Sequence, residues 1–278
     1  MSNGLTVPEK KDFYVTEQTK KALDAVVALS AETPQNILVK GMQGCGKTEL
    51  GAQLAARLNR PFTQFQVGLL NEPGQLFGQQ ILRNSNVEYQ QFLFTDAIQV
   101  ENAFILLDEL NRAQHPKALN DLYSVLDERR HIWLDELHTS INVAEGVIFF
   151  ATLNEGADFT GTDIVDKALL DRFPYVLELS TLPIEVESGL LQNRIGMAAE
   201  AATKLASVFY RIRGDQDLQL STRKALATAN LIKQGMNLRE AFCPTMSIDR
   251  DHLEKVLIAV HMETEIEMQE EKLSWTLL

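Results

Sequence analysis

Residues Gly41-Met42-Gln43-Gly44-Cys45-Gly46-Lys47-Thr48 constrain this chain more than any other segment. They follow a short apolar run, Ile37 to Lys40, and open an amphipathic stretch, so the pattern sits at a strand-to-helix junction, the context a phosphate-binding loop requires. Glycines there let the backbone turn its N–H groups inward around phosphate oxygens, and the helix start adds the positive end of its dipole. Lys47 is expected to meet the β and γ phosphates of ATP, and Thr48 to offer a hydroxyl to Mg²⁺. The nucleotide-binding set is therefore Gly41, Gln43, Gly44, Cys45, Gly46, Lys47, Thr48 and Glu49. A chance glycine turn is the competing reading, and the coincidence of glycines, Lys47 and Thr48 with that junction disfavours it.

Around this loop, short apolar runs alternate with amphipathic stretches, the βαβ signature of an α/β sheet. Five strands are expected, at Ile37 to Lys40, Phe62 to Val67, Phe104 to Asp108, Val147 to Thr152 and Tyr175 to Leu179, each bounded by Gly, Pro or polar turn residues. After Pro183 the spacing turns helical, over Glu185 to Arg194, Ala198 to Arg213, Thr222 to Gln234 and His252 to Met268. The expected architecture is an α/β domain over residues 1–182, a five-stranded parallel sheet flanked by helices, followed by a small all-helical domain over residues 183–278. Two segments break the alternation: 68–86, rich in Gly, Pro and Gln, and 130–143, which reads as a β-hairpin. Both are expected to project from the core.

The second chemical signal is Phe104-Ile105-Leu106-Leu107-Asp108-Glu109, an apolar strand ending in two carboxylates. In α/β sheets ligands gather at strand C-termini. Asp108 can then hold the Mg²⁺ shell and Glu109 can polarise an attacking water, which points to hydrolysis of the nucleotide. A solvated strand end would be the bland explanation of an isolated acidic pair, and the phosphate loop upstream makes it the poorer one. Val147 to Leu153 is another buried strand, and Asn154 at its exit can hydrogen-bond the γ phosphate or the attacking water; as a lone asparagine it would merely start a turn.

The chain's 278 residues, 45% hydrophobic, suffice for one large domain or two unequal ones. No run approaches the roughly 18 to 20 apolar residues of a membrane span, and the first residues lack the apolar centre of a signal peptide, so a cytosolic protein is expected. Cys45 and Cys243 lack the spacing of a zinc site or a disulfide framework. A net charge of −12 disfavours nonspecific nucleic-acid binding. Glu263, Glu265, Glu267, Glu270 and Glu271 read as a solvated helix face.

Taken together, Gly41 to Thr48, Leu107 to Ala113, Ala151 to Asn154 and Ala168-Leu169-Leu170-Asp171-Arg172-Phe173 resemble MoxR-type AAA+ ATPases in order and spacing. The stretch from Asn154 to Thr162 looks most like the branch of the CbbQ, NirQ and NorQ activators and dynein-related AAA+ modules. The resemblance implies a P-loop AAA+ fold and a ring, usually hexameric, with ATP at subunit boundaries. It also implies that Arg172 reaches the neighbour's γ phosphate as an arginine finger, and that Arg223, after the capping Ser221, reaches the nucleotide from the helical lid. Segments 68–86 and 130–143 would correspond to the family's partner-contacting insertions. Such ATPases act on client protein complexes, in cofactor or metal insertion among other tasks, and frequently partner with von Willebrand A domain proteins. Two features depart from the pattern: Gln43 stands where the loop usually has proline, and Arg112, Arg129, Arg130, Arg211 and Arg213 compete with Arg172 for an interface role.

Two other functions fit parts of the sequence. Asp108 to Ala113 also resembles the GTP-driven motor of methylation-dependent restriction systems, against which stand the acidic composition and the run Asn154-Glu155-Gly156. A non-hydrolysing assembly scaffold is opposed by the intact Lys47, Asp108 and Glu109.

Overall fold

The computed structural model describes residues 4–70, 74–84, 86–113, 116–154, 165–213, 220–246 and 275–277. The helix expected over His252 to Met268, the acidic stretch from Glu263 to Glu271 and most of the segment from Asn154 to Thr162 lie outside them. In chain order the elements are β1 (Tyr14–Thr16), α1 (Glu17–Leu29), β2 (Gln35–Gly41), α2 (Lys47–Leu58), β3 (Phe62–Gln66), β4 (Gly78–Arg83) and β5 (Asn86–Gln91). There follow α3 (Leu93–Ile98), β6 (Phe104–Asp108), α4 (Asn120–Leu126), β7 (His131–Leu134), β8 (Thr139–Asn142), β9 (Ile148–Asn154), α5 (Lys167–Leu170) and β10 (Tyr175–Leu179). The chain continues through α6 (Ile184–Ile195), α7 (Ala199–Ile212), α8 (Thr222–Lys233), α9 (Leu238–Met246) and β11 (Trp275–Leu277).

These elements form two compact units. The first takes Met1–Lys11, Gln18–Gly41 and Lys47–Leu179; the second takes Asp12–Glu17, Met42–Gly46 and Ser180–Leu278. In the first, β10, β2, β9, β6 and β3 make a five-stranded sheet in that order, parallel throughout. β6 is buried along its whole length and β9 along all but one position, which is why both read as continuous apolar runs rather than alternating ones. Register aligns the strand ends that matter: Gly41 stands opposite Asn154, and Gln66 opposite Asp108. The core of this unit centres on Phe94, whose ring meets Phe65 and Phe77 edge-on at 5.1 and 5.2 Å and lies 6.4 Å from Phe149. Each such ring removed from water contributes about 2 to 3 kcal/mol.

The two segments that break the alternation fall in the first unit and carry antiparallel pairs. β7 and β8 pair antiparallel inside 130–143 as the alternation suggests. The other segment holds a 3₁₀ turn at Val67–Leu69 and then the antiparallel pair β4–β5, which runs on to Gln91. Its strands are rich in Gln and lack apolar alternation, so the sequence pattern had no face to report. Burial, and then the Glu136 carboxylate, raise the Tyr89 phenol above its ordinary value.

The second unit is a helical cluster around Leu191, Leu205, Phe209 and Phe242. Gly196 ends α6 in the left-handed conformation with φ 76, the usual glycine stop. Ser221 caps α8 by accepting from the Lys224 N–H. β1 and β11 pair antiparallel in this unit, so it carries one short ribbon besides its helices; three residues are too few for a strand pattern to show in the sequence. Among the described residues no helix is long and apolar enough to cross a membrane.

Candidate nucleotide and metal site

The phosphate loop leaves β2 at Gly41 and enters α2 at Lys47. Gly44 and Gly46 adopt φ values of 77 and 99, a region L side chains rarely enter. Space reinforces conformation: a Cβ at Gly44 would lie 2.8 Å from Ser221 Oγ, and one at Gly46 would lie 3.1 Å from the Phe13 ring, contacts internal to the second unit. The glycines are therefore needed for shape as well as for turning amides. Lys47 is buried, and its ammonium donates to the Gly41 carbonyl at 2.8 Å, joining the two ends of the loop. Gln43 is exposed and Cys45 half-buried, outside any disulfide. Glu49, in the first turn of α2, accepts from Gln53.

Across the sheet's carboxyl edge a polar network ties the two expected metal residues together. Thr48 Oγ1 donates to Asp108 Oδ1 at 2.9 Å, and Asp108 is only 8% exposed. The Thr152 hydroxyl donates to the same oxygen at 2.6 Å and accepts from the Glu109 N–H at 2.9 Å, while Gln64 Nε2 donates to Asp108 Oδ2 at 3.0 Å. One hydroxyl and one nearly buried carboxylate at the mouth of a phosphate cradle fit Mg²⁺, which takes few protein ligands and completes its octahedron with water and phosphate oxygens. Among the described residues there is no cluster of three or more His, Cys, Asp or Glu that would suit a metal caged by protein alone.

Glu109 stands one residue further along, with φ 57 and ψ 55. Left-handed backbone at a non-glycine residue costs of order 1 kcal/mol or more and clusters at functional sites. That conformation turns the Glu109 side chain away from the strand, where Asn154 Nδ2 donates to its Oε1 at 3.2 Å. Asn111 holds Asn154 by its backbone, donating to the carbonyl at 2.9 Å and accepting from the N–H at 3.4 Å. The structure thus assembles Lys47, Thr48, Asp108, Glu109 and Asn154 in the first unit. Gln64, Asn111 and Thr152 are polar members the motif reading did not single out as site residues; a polar residue inside an otherwise apolar strand was the available signal for Thr152.

Arg172 follows α5, apart from this cluster. Its carbonyl is fixed by Asn36 Nδ2 at 2.5 Å, and its guanidinium lies 5.8 Å from the Tyr123 ring centre. The Arg172 Nε is buried with no hydrogen-bond partner among the described residues. Burial, followed by the hydrogen bond to and charge of Asp166, raises the Tyr123 phenol above its ordinary value. Tyr123 and Asp166 also line a cavity of about 200 Å³ with Leu110, Asn111, Lys117 and Asn120. Arg223 is exposed in the first turn of α8, in the second unit.

Two of the competing arginines are committed internally. Arg213 makes a two-pronged ion pair with Glu187 at 2.5 and 2.9 Å, the side chains 7% and 0% exposed. Arg130 donates to Asn36 Oδ1 and to the carbonyls of Pro34 and Val125, and desolvation brings it down to about 10. Neither is placed to reach outward.

The family model described as AAA domain, dynein-related subfamily, matches residues 36–173. The chain is 44% identical over 264 residues to BssE of Thauera aromatica, a protein named as a chaperone, with 94% of this chain and 92% of that one covered. It is 28% identical over 221 residues to NorQ of Paracoccus denitrificans, covering 78% and 80% respectively. A solved structure of a RuvB variant from Thermotoga maritima superposes with a TM-score of 0.58 at 17% identity, over 90% of this chain and 72% of that one. A likeness that remote shows the fold alone.

Proposed function

Because the chain belongs to the dynein-related, MoxR-type branch of AAA+ ATPases, whose fold binds and hydrolyses ATP, we propose that it turns over ATP with Mg²⁺ in an oligomeric ring to remodel or activate a partner protein complex. The carrying observation is the network at the ends of β6 and β9, where Asp108 meets Thr48 and Glu109 meets Asn154. Thr48 and Asp108 would hold Mg²⁺, which neutralises charge on the phosphate oxygens when bound. Glu109 takes the proton of the attacking water, and Asn154 orients the Glu109 carboxylate. Lys47 exchanges the Gly41 carbonyl for phosphate oxygens, and the amides of Gly44 to Thr48 surround them.

Arg172 is proposed as the trans-acting finger of a ring, hexameric by family habit; a buried Nε with no hydrogen-bond partner among the described residues supports that role. Such a finger supplies about 10³- to 10⁵-fold in rate. Arg223 is proposed as the lid's contact to the nucleotide. The hairpins β4–β5 and β7–β8 are the proposed contacts to a client, with a von Willebrand A domain protein as the partner class to test. The chaperone name of BssE supports client remodelling over a scaffold role.

ATP turnover measured against protein concentration, with mass photometry alongside, tests chemistry and assembly together. Turnover rising with ring formation is expected. Lys47→Ala should lose nucleotide binding, and Arg172→Ala should bind ATP without hydrolysing it. Mixing those two variants should restore activity by building intact shared interfaces. Full turnover by a monomer would sink the ring mechanism.

A further inference from the structure

Arg112 connects the Glu109 carboxylate to the turn that follows β3. The 3₁₀ turn Leu110–Arg112 folds back on Glu109: the Arg112 N–H donates to the Glu109 carbonyl at 2.9 Å, and its guanidinium stands 3.4 Å from Glu109 Oε2. The other carboxylate oxygen is the one Asn154 holds. Among the described residues each oxygen of Glu109 has one side-chain partner, and the orientation of the group depends on both. Arg112 and Asn154 thus hold the Glu109 carboxylate from two sides.

The other face of Arg112 is pressed against Gly68. A Cβ at Gly68 would lie 3.2 Å from Arg112 Cβ and 3.4 Å from its carbonyl oxygen. Gly68 is the middle residue of the turn Val67–Leu69, which joins β3 to the segment leading into β4. Val67 is fully buried, so that turn is anchored on its inner side, while Leu69 is 70% exposed. The β4–β5 hairpin beyond carries Leu82 and Val87 as cross-strand partners, 76% and 68% exposed.

We propose that Arg112 is a positioning residue for hydrolysis, holding the Glu109 carboxylate of its own subunit and passing displacements of the Val67–Leu69 turn to it through Gly68. The proposal rests on Glu109 acting as the base in the function above. The pair is too exposed to matter much as a source of stability, with side chains 37% and 20% accessible, so its effect falls on geometry. Misplacing a reacting group by about 1 Å can cost up to roughly 10²-fold in rate.

The test is steady-state ATP turnover by the full chain, with binding of a non-hydrolysable ATP analogue measured on the same preparations. Arg112→Gln is expected to lower kcat about tenfold or more while KM and analogue binding stay within about twofold, the signature of lost positioning rather than lost binding. Arg112→Lys should recover part of the rate. Gly68→Ala, which alters no atom of the site, should lower kcat by about threefold through the steric push, and should add nothing in the Arg112→Gln background, since the two act through one contact. Additive effects, a change confined to KM, or recovery when Arg112→Gln subunits are mixed with Lys47→Ala subunits would each overturn the proposal, the last because it would make Arg112 act across a boundary. Glu109→Gln separates the two readings: if wild-type turnover survives that change, the assignment of Glu109 fails and the role of Arg112 fails with it; if turnover is lost, the Arg112 series alone decides.

Discussion

Two sets of buried polar groups stand in contrast. In the second unit Glu187 and Arg213 form a closed pair: each satisfies the other at two points, Arg213 also donates to the Leu220 carbonyl, and the side chains are 0% and 7% exposed. In the first unit Asp108 is nearly as buried, but its partners are the neutral groups of Thr48, Thr152 and Gln64. A carboxylate satisfied by neutral donors keeps its charge for something else, whereas one locked to a guanidinium has spent it. Burial alone does not separate a structural acid from a functional one; the charge and replaceability of its partners do.

This contrast is broken most severely by Glu187→Ala. Removing one partner leaves a buried cation uncompensated, and the expected loss is about 3 to 5 kcal/mol by denaturant unfolding. Replacing both residues by methionine should restore most of that stability, because the pair's desolvation cost disappears with it. An uncorrected double variant would mean the pair does more than fill space. Glu109→Gln should lower turnover by about 10²-fold or more with ATP binding retained and stability within about 1 kcal/mol of wild type. A large stability change there would erase the distinction drawn above.

Thr152→Val sharpens the comparison. It removes the hydroxyl that joins Asp108 to the Glu109 amide and leaves the volume nearly unchanged. Turnover should fall about tenfold with weaker Mg²⁺ dependence, read from a metal titration of the rate. The smallest effect concerns Asp127, which ends α4 before the β7 hairpin. Burial raises its carboxyl, but N–H donors of Arg129 and Arg130 outweigh that and hold it below the ordinary carboxylate value. A folded-state value lower than the unfolded one gives stability that is present at neutral pH and is lost as the pH falls below about 4. Asp127→Asn should therefore lower the Tm slightly at pH 7 and leave it equal to wild type in strong acid. A constant Tm difference across that range would contradict this.

The phosphate loop, the acidic strand end and the asparagine exit are all legible in the sequence, because each is a short pattern whose parts are adjacent in the chain. The strands holding them were readable too, since full burial writes an uninterrupted apolar run. The β4–β5 hairpin was not, because its Gln-rich strands leave no apolar face to detect. The competition among arginines was likewise undecidable from spacing: Arg130 and Arg213 became internal groups through contacts 94 and 26 residues away.

The sequence by itself picked out the side chains proposed for phosphate and hydrolytic chemistry and the order in which they occur: Lys47 and Thr48 at one strand exit, Asp108 and Glu109 at a second, Asn154 at a third. Only the tertiary structure decided which of them touch, and through what. Thr48 reaches Asp108 across 60 residues, and Thr152 and Asn154 reach the acidic pair across 44 and 45. The physical reason is that local spacing governs a turn of helix or one strand, whereas parallel register is set by side chains packing between segments the chain keeps far apart.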